Sequence, residues 1–401
     1  MRADKMQQTD TPAMDYLADG GVVSFNSRVS VPSQTRVNFV TIPTGAHADR
    51  HGIVGGSYYD EDFNLVRTDY PDPLTAQDNV LVPTIFEVLE EKGIRTAYIA
   101  TKGYELVGGR GASITFGGRD DFPPYIWRHR YDDEVNGSSE RSLELKLEMD
   151  EIVLAKMKEA VRDEGAEFFI ANLGALDYIG HKHGVETPYY SRALGEADAR
   201  IQRFIDFLKR EEIYSESAII ITSDHGFTHI ENPENVLMGS RRQPAVRELA
   251  GAGIKHEALS RGGLSFSLYL KDPGKAERAL EILRTIEWVS KIYSEHPLED
   301  LDGTLSDLNY YFPGRTGDFF IDVAPTHTLN FDNKGQHGST ADTDMIVPLI
   351  FSGRNIASGV RLEYSESVDI APTVLAVYGL DNTKYLEAAG NILDGVIEFP
   401  N

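Results

Sequence analysis

The 401-residue chain has no cysteine and only two tryptophans. Without cysteine, disulfides, thiolate nucleophiles and Cys-ligated zinc are excluded together. No apolar run approaches ~18 residues, so no membrane-spanning helix is encoded. Basic charge is also scarce: 39 Lys and Arg against 63 Asp and Glu leave a formal net charge of −24. With no basic tract or Lys/Arg-rich helix, nucleic-acid polymers and anionic membranes are poor partners. A small phosphate ester remains compatible, because bound metal ions reverse the local sign. What is present is an ordinary globular composition, 41% hydrophobic and 25% charged, enough for a sizeable core.

Short β-rich runs alternate with helical ones through the first half. Helices are expected over Thr11–Asp19, Val82–Lys92, Ser142–Arg162 and Pro188–Lys209. Strands are expected at Gly21–Phe25, Arg95–Ala100, Glu167–Leu173 and Ser217–Ser223. Strands bordered by helices of about 10–20 residues predict a doubly wound, mostly parallel α/β sheet. Residues 264–325 break that rhythm with strand, helix and two further strand-like runs, a small α+β insertion. The α/β pattern resumes with a strand at Met345–Ser352 and a helix at Asp369–Tyr378. The expected division is a discontinuous core of residues 1–239 and 331–401 with an insertion at 240–330. Two major loops are expected at 107–140 and 226–262.

Histidines and acids gather after the predicted strands. EFFIANL is followed by Asp177 and, four residues on, His181. SAIIITS ends directly at Asp224-His225-Gly226, and His337 lies in the Gly-flanked GQHGS before another strand. Ligands of open parallel sheets collect beyond the carboxyl ends of the strands. Carboxylate oxygen and imidazole nitrogen without thiolate suit Zn²⁺ or Mn²⁺. A lone His-Gly is a common turn and Asp-Xaa₃-His a common surface pair; the joint placement is what points to a metal site. A hydrolase would also need a nucleophile, and Thr35 in VPSQTRVNFVTIPTG is the candidate. A hydroxyl at a helix N-terminus sits beside exposed N–H groups that favour phosphate. Read locally, the same residue is better taken as an N-cap.

In chain order, PSQTRVN, TGAHADRHGIVGG, DYIGHKHG, TSDHGF and GQHGS resemble the alkaline phosphatase superfamily, and within it the type I phosphodiesterase/nucleotide pyrophosphatase branch. The resemblance runs over essentially the whole chain, to the closing DIAPTVLAVYGL. It implies cleavage of a phosphodiester or pyrophosphate through a phosphothreonine on Thr35, with two divalent ions, Zn²⁺ or alternatively Mn²⁺. It implies Asp177, His181 and His337 for one ion and Asp224 and His225 for the other, with Thr35 touching metal. Asn38, after Val37 where relatives have Pro, and Lys102 are implied substrate contacts. The implied partner is a small phosphate- or phosphonate-containing substrate.

The sequence departs from the pattern in three places. Val37-Asn38 loosens the match after the nucleophile. Gly56 stands where relatives carry an Asn that donates to a phosphoryl oxygen, a loss worth ~10²–10³ in rate unless another group substitutes. MRAD fits only the tail of the opening motif, so Met1 reads as an internal methionine, with the first strand and its Asp ligand expected ahead of it. Rival expectations are a phosphonoacetate hydrolase-like enzyme, with Lys102 but Tyr104 where a second lysine would stand, a phosphomonoesterase, or a catalytically impaired binding protein of the same fold.

Overall fold

The computed structural model describes residues 1–68, 75–129, 139–231, 234–235, 246–329, 333–381 and 389–399. The insertion boundaries expected at 239/240 and 330/331 lie outside the described residues. In chain order the core is built from α1 (Pro12–Asp19), β1 (Val22–Arg28), α2 (Thr35–Thr44), α3 (Ile85–Glu91), β2 (Thr96–Ile99), β3 (Ile114–Phe116), α4 (Ser139–Arg162), β4 (Phe168–Ala171), α5 (Ala175–His183), α6 (Pro188–Arg210) and β5 (Ala218–Ile221). The insertion follows with β6 (His256–Ser260), β7 (Ser265–Leu270), α7 (Ala276–Leu283), β8 (Val289–Ser294) and β9 (Phe319–Val323). The core closes with β10 (Ile346–Gly353), β11 (Val360–Leu362) and α8 (Ile370–Val377).

Alternation along the strands shows why helices cover both faces. Val22, Leu349 and Phe351 pack with Phe86, Leu89 and Leu375 on one side. Val23 and Ile350 pack with Leu17, Leu194 and Ile205 on the other. Successive strand residues point to opposite faces, so a strand buried on both reads as a continuous apolar run. The helix starts are specified locally. Thr84 and Glu87 close a capping box at α3, which satisfies two otherwise orphaned N–H groups.

Core strands form two ribbons, in the orders β11-β1-β10-β5 and β3-β2-β4. β2 is parallel to both β3 and β4, and β1 is parallel to β11. β10 runs antiparallel to β1 and β5, so the sheet is mixed. The rhythm of strand and helix says nothing of direction for a strand entered from an insertion rather than from a crossover helix. The insertion carries its own antiparallel sheet, β6-β7-β9-β8, over a cluster containing Phe266, Leu268, Leu280 and Ile321.

Two expected loops contain structure. Residues 114–116 are the edge strand β3, and 256–260 pair with β7 as β6. Both are short edge strands in polar, Gly-rich surroundings, where periodicity is weakest. No helix among the described residues is long and apolar enough to cross a membrane.

Candidate active site

Thr35 is the first residue of α2, after Gln34 at the N-cap. Gln34 O accepts from Val37 N and Asn38 N, so the helix opens with the Thr35 hydroxyl at its positive end. β4 leads into α5, which places Asp177 and His181 one turn apart on one face. The loop after β5 delivers Asp224 and His225, and the loop before the Asp342–Met345 turn delivers His337. These residues meet. Asp177 Oδ1 lies 3.5 Å from His181 Nε2 and 3.7 Å from His225 Nε2. Asp224 Oδ2 lies 3.4 Å from His225 Nε2. The His225 and His337 rings stack with centroids 3.6 Å apart.

The backbone fixes all three tautomers. His181 Nδ1 donates to Gly335 O at 3.0 Å, His225 Nδ1 to Gly226 O at 2.8 Å and His337 Nδ1 to Ser33 O at 2.8 Å. A carbonyl only accepts, so each proton is on Nδ1 and each Nε2 presents a lone pair. Thr35 Oγ1 therefore donates to His225 Nε2, at 3.2 Å. Burial lowers His225 to about 3 and holds His337 well below its ordinary value. Both imidazoles are thus neutral near pH 7 and ready to bind metal.

The donor set fits a cation. One ligand atom each from Asp177, His181 and His337 lies within 4.8 Å of the others. Asp177 Oδ1 is buried with no hydrogen-bond partner among the described residues. Lone pairs converge there with no proton between them, an unfavourable arrangement unless a positive charge joins them. Burial pushes the Asp177 carboxyl up, but Lys102 and the histidines outweigh it and hold the group well below the usual carboxylate range. Burial raises Asp224. Met1 lies at that same edge, its ammonium donating to Ser223 Oγ at 2.5 Å and His225 O at 2.8 Å.

Similarity to known proteins now bears on this geometry. The sequence profile of type I phosphodiesterase/nucleotide pyrophosphatase matches residues 1–321. The chain belongs to that family. Rat ectonucleotide pyrophosphatase/phosphodiesterase family member 7 is 24% identical over 387 residues, covering 93% of this chain and 80% of its own length. Murine ectonucleotide pyrophosphatase/phosphodiesterase 5 superposes with a TM-score of 0.72 at 17% identity, over 99% of this chain and 97% of that one. Alkaline phosphatase PafA superposes with a TM-score of 0.75 at 16% identity, over the same shares. The chain has the alkaline phosphatase-like fold and is a hydrolase of the phosphodiesterase/nucleotide pyrophosphatase type.

In this phosphodiesterase/nucleotide pyrophosphatase, the two implied substrate contacts differ in setting: Asn38 is held within its own loop and Lys102 lies at the Asp/His cluster. Asn38 is fully buried. Its Oδ1 accepts from Ser30 N at 2.8 Å, and its Nδ2 donates to Ser30 O at 3.2 Å. The side chain pins the 30–34 loop rather than facing substrate, because a buried amide must satisfy both ends. Lys102 does reach the cluster, but its Nζ lies 2.5 Å from Asp177 Oδ2. At Gly56, a Cβ would meet Arg36 Cδ at 2.6 Å; the stem of the residue beside Thr35 fills that space.

The supports of the site escaped sequence reasoning. Ser33 is fully buried; its Oγ donates to Ser339 O at 2.7 Å and accepts from Gly338 N at 3.1 Å. It fastens the Thr35 loop to the His337 loop. Asp344 holds the same loop from behind, accepting from Ser339 Oγ at 2.6 Å and Thr228 Oγ1 at 2.8 Å. Asp150 of α4 accepts from Gly174 N at 2.8 Å and Ala175 N, and so caps the helix carrying Asp177 and His181. Only Ser33, two residues before Thr35, carried any sequence signal.

Proposed function

We propose that the chain hydrolyses a phosphodiester or pyrophosphate bond of a small substrate through a phosphothreonine on Thr35. The observation that carries this is the Thr35 hydroxyl at the start of α2, 3.2 Å from His225 Nε2 within the Asp/His cluster. In this reading Asp177, His181 and His337 hold one divalent ion, and Asp224 and His225, with Thr35, hold a second; the donor set favours zinc over manganese. Bound metal supplies Lewis acidity, lowering the hydroxyl pKa and neutralising charge at phosphorus. The Thr35 Oγ gives up its proton and attacks phosphorus, and the leaving oxygen departs with its electron pair. Water then cleaves the phosphothreonine, releasing the phosphoryl product and restoring the hydroxyl. The N-terminus of α2 favours the phosphoryl oxygens electrostatically throughout. In this reading Lys102, paired with Asp177 Oδ2, would contact the anionic substrate.

The test is turnover of bis(p-nitrophenyl) phosphate, p-nitrophenyl phosphate and phosphonoacetate with zinc or manganese, by the native chain and Thr35→Ala. The native chain should prefer the diester, and the variant should lose at least ~10³-fold in kcat while retaining the ion of Asp177, His181 and His337. Preference for either other substrate selects the corresponding rival, and unchanged turnover by Thr35→Ala removes the phosphothreonine.

A further inference from the structure

The turn between β6 and β7, Arg261–Leu264, grips the backbone of a candidate metal ligand. Gly263 N and Leu264 N donate to His337 O at 3.0 and 3.1 Å. Ser265 Oγ, at the start of β7, donates to Gly338 O at 2.6 Å. The insertion therefore holds the His337 loop directly. Arg261 opens the same turn, and its side chain is fully buried. Its Nε is shared between Ser267 Oγ at 2.9 Å and Tyr310 Oη at 3.1 Å. Its Nη1 donates to Ser57 O at 2.7 Å and its Nη2 to Tyr269 Oη at 3.0 Å.

Those bonds lead to the segment 52–57, which supports the start of α2. Tyr310 Oη donates onward to Val54 O at 3.0 Å. Tyr269 Oη donates to Arg315 O at 2.9 Å, and Arg315 Nη1 to Gly52 O at 2.6 Å. The segment is thus held at three carbonyls, Gly52, Val54 and Ser57. Val54 packs in one cluster with Val31 and Val37, which flank Thr35 in the chain. Gly56 lies under the stem of Arg36, the residue after Thr35. One guanidinium therefore joins the support of Thr35 to the turn that grips His337.

A guanidinium is a rigid planar fork that donates in several fixed directions at once. All four acceptors here are neutral, three hydroxyls and one carbonyl. Burying a charge on such partners is costly, and an apolar join between insertion and core would cost less. An apolar join, however, is non-directional. We propose, on the reading of Thr35 given above, that Arg261 is a positioning residue of the hydrolytic site. It sets the spacing between the start of α2 and the His337 loop, and so the distance from the Thr35 hydroxyl to the His337 imidazole. It acts through those two segments and not on the substrate. A misplacement of about 1 Å at a reacting group costs about 10²-fold in rate, which sets the size of the effect.

The test compares Arg261→Met, Arg261→Lys and Tyr310→Phe with the native chain, each as the folded fraction from gel filtration. With zinc and bis(p-nitrophenyl) phosphate, both Arg261 variants should lose about 10²-fold in kcat with KM within about threefold. Tyr310→Phe removes only the hydroxyl between Arg261 Nε and Val54 O and should lose about tenfold, which keeps the test alive if Arg261→Met does not fold. A merely structural role would lower the folded yield and leave the kcat of the folded fraction native, and that result overturns the proposal. Native kcat in Arg261→Lys would assign the effect to charge rather than to the fork, and overturns it too. Cobalt(II) in place of zinc gives a readout without turnover: its visible absorption should shift in Arg261→Met, because the His337 loop is displaced. If the native chain turns over no phosphate ester, the phosphothreonine reading falls and the cobalt spectrum decides. A shift then keeps Arg261 as the holder of the His337 loop, and an unchanged spectrum removes it.

Discussion

Replacing Ser33 by alanine should damage both stability and the metal site, by amounts the hydrogen bonds set. The substitution removes one hydroxyl that serves two buried backbone groups, Ser339 O at 2.7 Å and Gly338 N at 3.1 Å. Each group left unpaired costs about 1–3 kcal/mol, so the two together cost about 2–6 kcal/mol. Ser27→Ala is the matched control. Ser27 is also fully buried, but its Oγ has no partner among the described residues. Removing it should leave stability unchanged or raise it by about 1 kcal/mol. Urea denaturation of the metal-free chains, with equal m values, gives the comparison. Ser33 also fastens the loop that orients His337, so zinc affinity measured by chelator competition should fall ~10–100-fold in Ser33→Ala. Equal stability of the two variants, or unaltered zinc affinity in Ser33→Ala, would refute the reasoning.

Asp150→Ala should lose about 2–4 kcal/mol, from a helix cap and a buried N–H left unpaired, while Asp150→Asn, which keeps an acceptor, should lose less; equal losses in urea denaturation would count against the cap. Burial raises the Asp344 carboxyl from 3.8 to about 6, so over that interval the folded chain holds a proton that the unfolded chain has released. Stability therefore falls as pH rises from about 4 to about 6, by about 3 kcal/mol, and levels off above. Asp344→Asn should remove that contribution, leaving the similar ones of Asp150 and Asp322, both raised to about 7; urea midpoints at a series of pH values would show a parallel slope if the argument is wrong. Gly338 has φ +110°, and a Cβ there would meet Arg261 O at 1.9 Å. Gly338→Ala should cost about 2–4 kcal/mol and lower bound zinc per chain; a native-like melting temperature would contradict it.

The division between what was legible and what was not follows the range of the forces. Periodicity and capping act within a few residues, so α3, α6, β1 and β10 could be read from the chain. Direction and pairing are long-range, so β10 was legible as a strand but not as an antiparallel one. The edge strands β3 and β6 had too little pattern to stand out. Among the candidate site residues, Asp177, His181, Asp224, His225 and His337 follow strand-end motifs whose residue types have few other uses in that combination. For Asn38 the motif gave the residue's identity and not the direction of its side chain. The packing of the loop turned its amide onto Ser30.

The sequence by itself determined the alternating layers and which residue types gather at the strand ends, because hydrophobic period and side-chain chemistry are written locally. Only the tertiary structure decided which imidazole nitrogen of His181 and His337 faces inward, because the distant Gly335 and Ser33 supply the accepting carbonyls. It alone set Ser33, Asp150 and Asp344 behind the site. Those relations depend on partners distant in the chain, which no local pattern can specify.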